Sequence, residues 1–279
     1  MPELPEVETI KNTVKQAMLG AVFKNVIVRE RKFRQLICAE FESLVCGAKV
    51  IGLRRIAKYM LIDLDNGKTI IWHFGMSGQF KIAESIPEKL EKHDHIVLEA
   101  DKATFIYNDT RRFGLVDICD SKLISKHKLF CHLGLDPWDL ELTAEYLLKK
   151  FERKKTAIKI ALLDQEIICG IGNIYASEIL YKTRIHPQRS AESISLEEAE
   201  KIIAATREIL EKAIAAGGST IHDYKRPDGD IGYFQNSHCV YNKTGQRCPN
   251  CVCDFNKTGG IKKIVQGGRS TFYCETLQK

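Results

Sequence analysis

Residues 7 to 18 place Val7, Ile10, Val14, Ala17 and Met18 at the three- and four-residue spacing of one helix face. Pro5, Glu6 and Glu8 suit a first helical turn, where negative charge meets the positive end of the helix dipole. A helix is therefore expected almost from the first residue. Beyond it the period shortens. The runs 22–28, 61–64, 69–74, 95–100 and 103–108 are rich in Val, Ile, Leu and Phe, and Asn66-Gly67 stands between two of them as a hairpin turn. The chain as far as Cys131 reads mostly as β. Helical patterns then return over 142–165, 174–183 and 195–216. The stretch from Gly217 to Gly232 is polar and without period, so it reads as a long loop of the kind that often binds. The tail from Cys239 carries paired cysteines and glycine turns, as a small metal-bound β-ribbon would.

A chain of 279 residues, 44% of them hydrophobic, has enough apolar surface for one large or two ordinary domains. The formal charge of +6 favours a polyanionic partner without demanding one, since slightly basic enzymes are common. No apolar stretch is long enough to span a bilayer, and acidic side chains occupy the first thirty residues where a signal peptide would be basic and then apolar. The expected location is the cytosol, so the 10 cysteines read as reduced core residues or metal ligands rather than as disulfides. Neither an internal repeat nor a low-complexity tract interrupts the chain.

The opening MPELPEVET is followed in order by Arg55-Ile56-Ala57-Lys58-Tyr59, His73-Phe74-Gly75-Met76-Ser77-Gly78, Lys92-His93-Asp94-His95 and Asp109-Thr110-Arg111-Arg112-Phe113-Gly114. Lys154-Lys155-Thr156-Ala157-Ile158-Lys159 and Gly170-Ile171-Gly172-Asn173-Ile174-Tyr175-Ala176-Ser177-Glu178 come next. Together these motifs resemble the bacterial formamidopyrimidine-DNA glycosylase family through nearly the whole chain. The resemblance implies a bifunctional DNA glycosylase and abasic-site lyase that excises oxidised purines from duplex DNA and cuts the strand by β- and δ-elimination.

It also implies residue roles. Pro2 is the Schiff-base nucleophile, Glu3 moves the proton, Lys58 holds a phosphate for β-elimination, and Arg269 does so for δ-elimination. The chemistry is consistent: a chain-terminal amine has a pKa of roughly 7.7–8.0 against about 10.4 for lysine, so far more of it is unprotonated at neutral pH. Taken alone, Met-Pro is a common start, Glu3 a dipole partner and Lys58 part of a solvated basic run. Met76, Arg111 and Phe113 match the residues that fill the stack vacated by an extruded base. By periodicity alone Met76 and Phe113 would be core and Arg111 surface. His73, His93, Lys154 and Asn173 match DNA-contact positions, and the glycines before Asn173 open a helix whose amides suit a phosphate. The loop from Gly217 to Phe234 resembles one that caps an oxidised purine.

The tail departs from the family. Relatives hold zinc through two C-x-x-C pairs; here Cys248 and Cys251 form the first, but Cys274 is followed by Leu277 where the fourth ligand belongs. The reading adopted is one structural zinc on Cys248, Cys251 and Cys274. The fourth ligand stays open among Cys253, Cys239, His238 and water, as does a ribbon that folds without metal. The connection from Cys251 to Cys274 is also longer than usual around Asp254–Thr258, and Tyr241-Asn242-Lys243 stands where Tyr-Gly-Arg is common.

The expected architecture is α+β and multidomain. A β-sandwich catalytic domain with an N-terminal helix occupies 1–131. A helix-two-turn-helix domain with the lesion loop occupies 132–234, and a zinc-ribbon-like hairpin 235–279, with DNA crossing between the main domains and the protein monomeric. Two alternatives accompany this reading: an endonuclease VIII-like enzyme for oxidised pyrimidines, and a relative that binds damaged DNA without catalysis.

Overall fold

The computed structural model describes residues 2–219 and 234–279. The chain divides into two compact units, Met1–Cys131 with Ile214–Gln235, and His132–Ala213 with Asn236–Lys279.

In the first unit α1 (Leu4–Met18) buries Leu4, Val7, Ile10, Val14 and Met18 completely, the face that the spacing predicts. It precedes β1 (Phe23–Val28), a short α2 (Phe41–Val45), β2 (Val50–Ile56), β3 (Tyr59–Leu64) and β4 (Lys68–His73). Then come β5 (Gln79–Ala83), β6 (Asp94–Ala100), β7 (Thr104–Asn108) and β8 (Leu115–Asp120). The strands make two antiparallel four-stranded sheets, ordered β1-β6-β7-β5 and β2-β3-β4-β8. One apolar core takes residues from both sheets and from α1, which makes the unit a sandwich with a helix added. Trp72 of β4 meets Phe80 of β5 at 4.7 Å and Tyr107 of β7 at 5.0 Å between ring centres, joining the sheets through tilted and edge-on aromatic contacts.

All five apolar runs are strands, but β2, β5 and β8 are additional. Gly52, Arg54 and Arg55 hide β2 from an apolar count; the fork of Arg54 donates to both carboxylate oxygens of Asp63 on β3, at 2.8 and 3.0 Å, so the charge is paired on the sheet surface. Strands β5 and β8 lie at sheet edges and bury fewer side chains than central strands do.

The second unit holds α3 (Ala144–Phe151), α4 (Ile158–Leu163), α5 (Asn173–Thr183), most of α6 (Leu196–Ala215), α7 (Phe255–Thr258) and the hairpin β9 (Lys262–Gln266) with β10 (Arg269–Tyr273). The helix expected over 142–165 is two helices. Glu152 leaves the helical conformation, Arg153 turns left-handed at φ 58°, and the chain beyond pairs with another segment, Ser190 Oγ donating to the Lys154 carbonyl and Ala157 bridging to Ser190. The apolar period continues through the break, which is why the spacing alone does not reveal it.

Candidate active site

Pro2 and Glu3 are buried at the head of α1. The Glu3 backbone N–H donates to Glu6 Oε2 at 2.9 Å, and the Ser219 N–H donates to Glu6 Oε1 at 2.8 Å. One buried carboxylate thus braces both the first turn and the segment after α6. Gly218 lies in the left-handed region at φ 79°, and a Cβ there would sit 3.2 Å from Glu6 Cγ, so a side chain would be strained as well as crowded. Residues 220–233 of the expected lesion-capping loop lie outside the described residues.

Glu8, farther along α1, accepts from Arg55 Nε of β2 at 3.0 Å, and Arg55 also donates to the Ala57 carbonyl at 3.1 Å. This chain of contacts pins α1 to the two-residue turn Ala57-Lys58 between β2 and β3. Ala57 takes φ 50°, a conformation that non-glycine residues rarely adopt and that tends to mark functional sites. Lys58 follows it and is 8% exposed.

His73, at the end of β4, packs its ring 4.9 Å from that of Tyr59. Burial, then the positive charges of Arg34 and Lys58, hold its pKa down at about 4. The imidazole is therefore neutral at pH 7. Its Nδ1 accepts the Gly75 N–H at 3.1 Å, so the single ring proton resides on Nε2, which can donate to an anion without carrying charge. A proton binds the unfolded chain more tightly than the folded one, so stability is full above pH about 6.5 and is lost as pH falls toward 4, by roughly 3 kcal/mol for this residue. His238, held at about 4 by burial and Lys243, adds a loss of the same sign. Urea unfolding from pH 7 to 4 should show the decline, and His73→Gln should remove its share while that of His238 remains; an unchanged slope would refute the assignment.

Met76 and Phe113 are 43% and 49% exposed, large apolar side chains on two loops of the first unit. The Arg111 guanidinium lies 4.7 Å over the Phe113 ring. Asp109, fully buried, joins the loops. It accepts from Ser77 Oγ at 2.6 Å, from the Gly114 N–H at 2.8 Å and from Tyr107 at 3.3 Å, while Ser77 Oγ accepts the Arg111 N–H at 3.0 Å. Gly75 has φ 61°, and a Cβ there would be 2.3 Å from the Phe113 carbonyl carbon, so the loops approach this closely only with glycine. His93 is half-buried nearby, its carbonyl accepting the Asp109 N–H at 3.1 Å.

In the second unit, Asn173 begins α5 and Arg269 begins β10, 96 positions apart in sequence yet drawn together by hydrogen bonds. Asn173 Nδ2 donates to the Ser270 carbonyl at 2.9 Å. Lys159, fully buried, donates to Asn173 Oδ1 at 2.6 Å, Thr271 Oγ1 at 2.7 Å and the Ser270 carbonyl at 3.1 Å. Arg269 itself is exposed beside the Gly267-Gly268 turn. Lys154, between α3 and α4, lies 3.6 Å from Asp164. Glu178 of α5 accepts the backbone N–H groups of Cys239, Val240 and Tyr241 at 2.8, 3.0 and 2.8 Å, which ties the ribbon to the helix; burial raises its pKa. Asn242, where relatives commonly have glycine, adopts φ 60°.

Cys248, Cys251 and Cys274 bring their sulfurs within 4.8 Å of one another, and Cys251 and Cys274 are 3.7 Å apart. Thiolates about 2.3 Å from one tetrahedral ion stand roughly 3.8 Å apart, so these residues fit a metal.

Two family models match: the formamidopyrimidine-DNA glycosylase N-terminal domain over residues 1–116 and the formamidopyrimidine-DNA glycosylase H2TH domain over residues 133–225. The chain belongs to the formamidopyrimidine-DNA glycosylase family. A formamidopyrimidine-DNA glycosylase of Novosphingobium aromaticivorans is 43% identical over 100% of both chains, and one of Rickettsia africae is 41% identical over 100% of this chain and 99% of its own. A point mutant of the Lactococcus lactis relative, crystallised with Fapy-dG containing DNA, superposes with a TM-score of 0.91 at 28% identity over 100% of both chains. The same bacterium's enzyme with abasic-site DNA gives 0.90. Among the described residues no helix is long and apolar enough to cross a membrane.

Glu6, Asp109, Lys159 and Glu178 stand within the family motifs, yet the motifs alone assign them no role. All four are buried polar groups within otherwise readable segments, and each holds backbone or side-chain groups that position a motif residue. For Lys159 and Glu178 a charged side chain inside an apolar run was a further signal.

Proposed function

We propose that this chain excises oxidised purines, 8-oxoguanine and formamidopyrimidines, from duplex DNA and then cleaves the strand, with Pro2 as nucleophile. The observation that carries the reading is the buried Pro2-Glu3 pair on a helix pinned through Glu8 and Arg55 to the turn that presents Lys58.

Once Met1 is removed, the Pro2 nitrogen is a secondary amine. It attacks C1′ of the damaged nucleoside as the glycosidic bond breaks; Glu3 is placed to transfer the proton that accompanies base departure. The nitrogen gives its own proton to solvent or to a nearby base; its lone pair then breaks the C1′–O4′ bond, O4′ leaves as the protonated hydroxyl of the opened sugar, and the resulting iminium ion acidifies C2′–H. Loss of that proton expels the 3′ phosphate, and a second elimination expels the 5′ phosphate. Lys58 and Arg269 hold these phosphates, the arginine by paired donors that match phosphate oxygens. Neutral His73 offers Nε2–H as a further donor, and His93, Lys154 and Asn173 supply positioning contacts. Met76 and Phe113 enter the stack where the base was, and Arg111, steadied on Phe113, donates to the orphaned partner base. Zinc on Cys248, Cys251 and Cys274 would be structural, fixing the base of the hairpin that carries Arg269.

Borohydride trapping tests the mechanism. A duplex with 8-oxoguanine opposite cytosine should yield a stable adduct that maps to Pro2. An adduct on a lysine would move the nucleophile, and none on this or an abasic duplex would favour a binding protein. A relative in complex with oxidised-pyrimidine DNA gives a second duplex worth including; faster excision from it would overturn the purine assignment.

A further inference from the structure

The position where relatives carry a fourth cysteine is filled with hydrocarbon. Leu277 is half-buried against the apolar cluster that includes Tyr181, Val240, Ile261 and Phe272, and it has no electron pair to give a metal. Three thiols therefore need a fourth donor from elsewhere. Cys253 Sγ lies 2.8 Å from Cys251 Sγ, with Thr258 Oγ1 3.6 Å away on its other side. The Cys239 thiol is directed instead toward the Ser237 carbonyl, and its backbone N–H is held by Glu178. The His238 ring packs edge-on against Tyr241.

The sulfurs of Cys251 and Cys253 are too far apart for a disulfide, about 2.05 Å, and closer than the roughly 3.8 Å of two thiolates on one zinc. To join the other three, the Cys253 sulfur, which stands outside their 4.8 Å group, must swing toward Cys248 and Cys274 as that gap opens by about 1 Å. The segment 251–254 has no regular structure, and the Val252 side chain between the two cysteines is fully exposed, with no packing to undo. The insertion that lengthens this connection is itself folded. Asp254 caps α7 by accepting the Asn256 N–H at 3.1 Å, and the Ile261 N–H returns to the Gln246 carbonyl at 2.9 Å. The added stretch thus begins beside Cys253 and closes back on the residues just before Cys248.

We propose that Cys253 is the fourth metal ligand, so that the ribbon is a four-thiolate site built from C-x-x-C-x-C and Cys274. The loss of a cysteine at 277 and the lengthened connection are then one compensated change. This rests on the structural-zinc reading above.

The test replaces zinc by cobalt(II) in the full-length protein and reads the sulfur-to-cobalt charge-transfer absorption, which grows with the number of thiolates bound. Wild type is expected to hold about one ion per chain. Cys253→Ser should lose about a quarter of the charge-transfer intensity and bind the ion ten-fold or more weakly, Cys253→His should recover affinity with three-thiolate intensity, and Cys239→Ser should change neither. Far-UV circular dichroism checks that each variant is folded. A wild-type chain that binds no metal would overturn the zinc reading and this inference with it. Full metal with an unchanged Cys253→Ser spectrum, or a loss confined to Cys239→Ser, would overturn this inference alone.

Discussion

Glu3→Gln is expected to slow 8-oxoguanine excision by about 10²–10⁴-fold, the usual worth of a positioned proton donor, while leaving the fold in place. The amide is isosteric with the carboxyl and keeps an oxygen that can accept a hydrogen bond. The Glu3 N–H bond to Glu6 does not involve the altered group, and the capping-box bond that the Glu3 side chain accepts from the Glu6 backbone can pass to the amide oxygen. The variant therefore removes proton transfer and little else. Cleavage of a duplex that already contains an abasic site should suffer far less, because no base has to depart and the open-chain aldehyde reacts directly with the Pro2 amine. Single-turnover rates on the two duplexes make the comparison. Equal losses on both would assign Glu3 to binding or to the elimination steps, and full activity on 8-oxoguanine would remove it from the mechanism.

Lys159→Met should lower the stability of the second unit by about 3 kcal/mol and loosen its hold on DNA. The ammonium is buried and serves three acceptors; methionine fills similar volume but leaves the Asn173 amide oxygen, the Thr271 hydroxyl and the Ser270 carbonyl without that donor. Each unsatisfied buried group costs about 1–3 kcal/mol, part of which rotation of the hydroxyl recovers. A melting midpoint lower by about 10 °C is the thermal counterpart for a unit of this size. Because the same contacts orient Asn173 and the strand that follows Arg269, affinity for an abasic-analogue duplex should also drop. Arg269→Ala separates the two effects, since an exposed arginine at a turn can be removed with little change in melting. Unchanged melting and affinity in Lys159→Met would show that the lysine is dispensable.

The sequence exposed those parts whose physical cause is local. The α1 face and the strands through Ile62, Ile70, Ile96 and Phe105 could be read because burial selects apolar residues at a fixed period. Strand β2 could not, since Arg54 is paired with Asp63 nine residues away and Arg55 with Glu8 forty-seven residues away, partners that no periodicity reveals. The break between α3 and α4 depends on pairing with Ser190, again a distant partner. At the site, the roles proposed for Lys58 and Arg269 come from resemblance, which also reads Met76 and Phe113 as wedges where an apolar count made them core. Their exposure agrees with the wedge reading. Lys159 looked like any helical lysine; only the folded chain shows that it points inward to acceptors on a strand 112 positions away.

The bond between Glu6 and Ser219 spans 213 residues. During synthesis the ribosome must release most of the chain before that brace can form, so the setting of the Pro2 amine is finished late. A truncated product that stops within the second unit would carry the amine, Glu3 and Lys58 but lack the contact that orders the helix head against the returning segment. The surroundings of the proposed Pro2 nucleophile are thereby complete only once translation has passed residue 219.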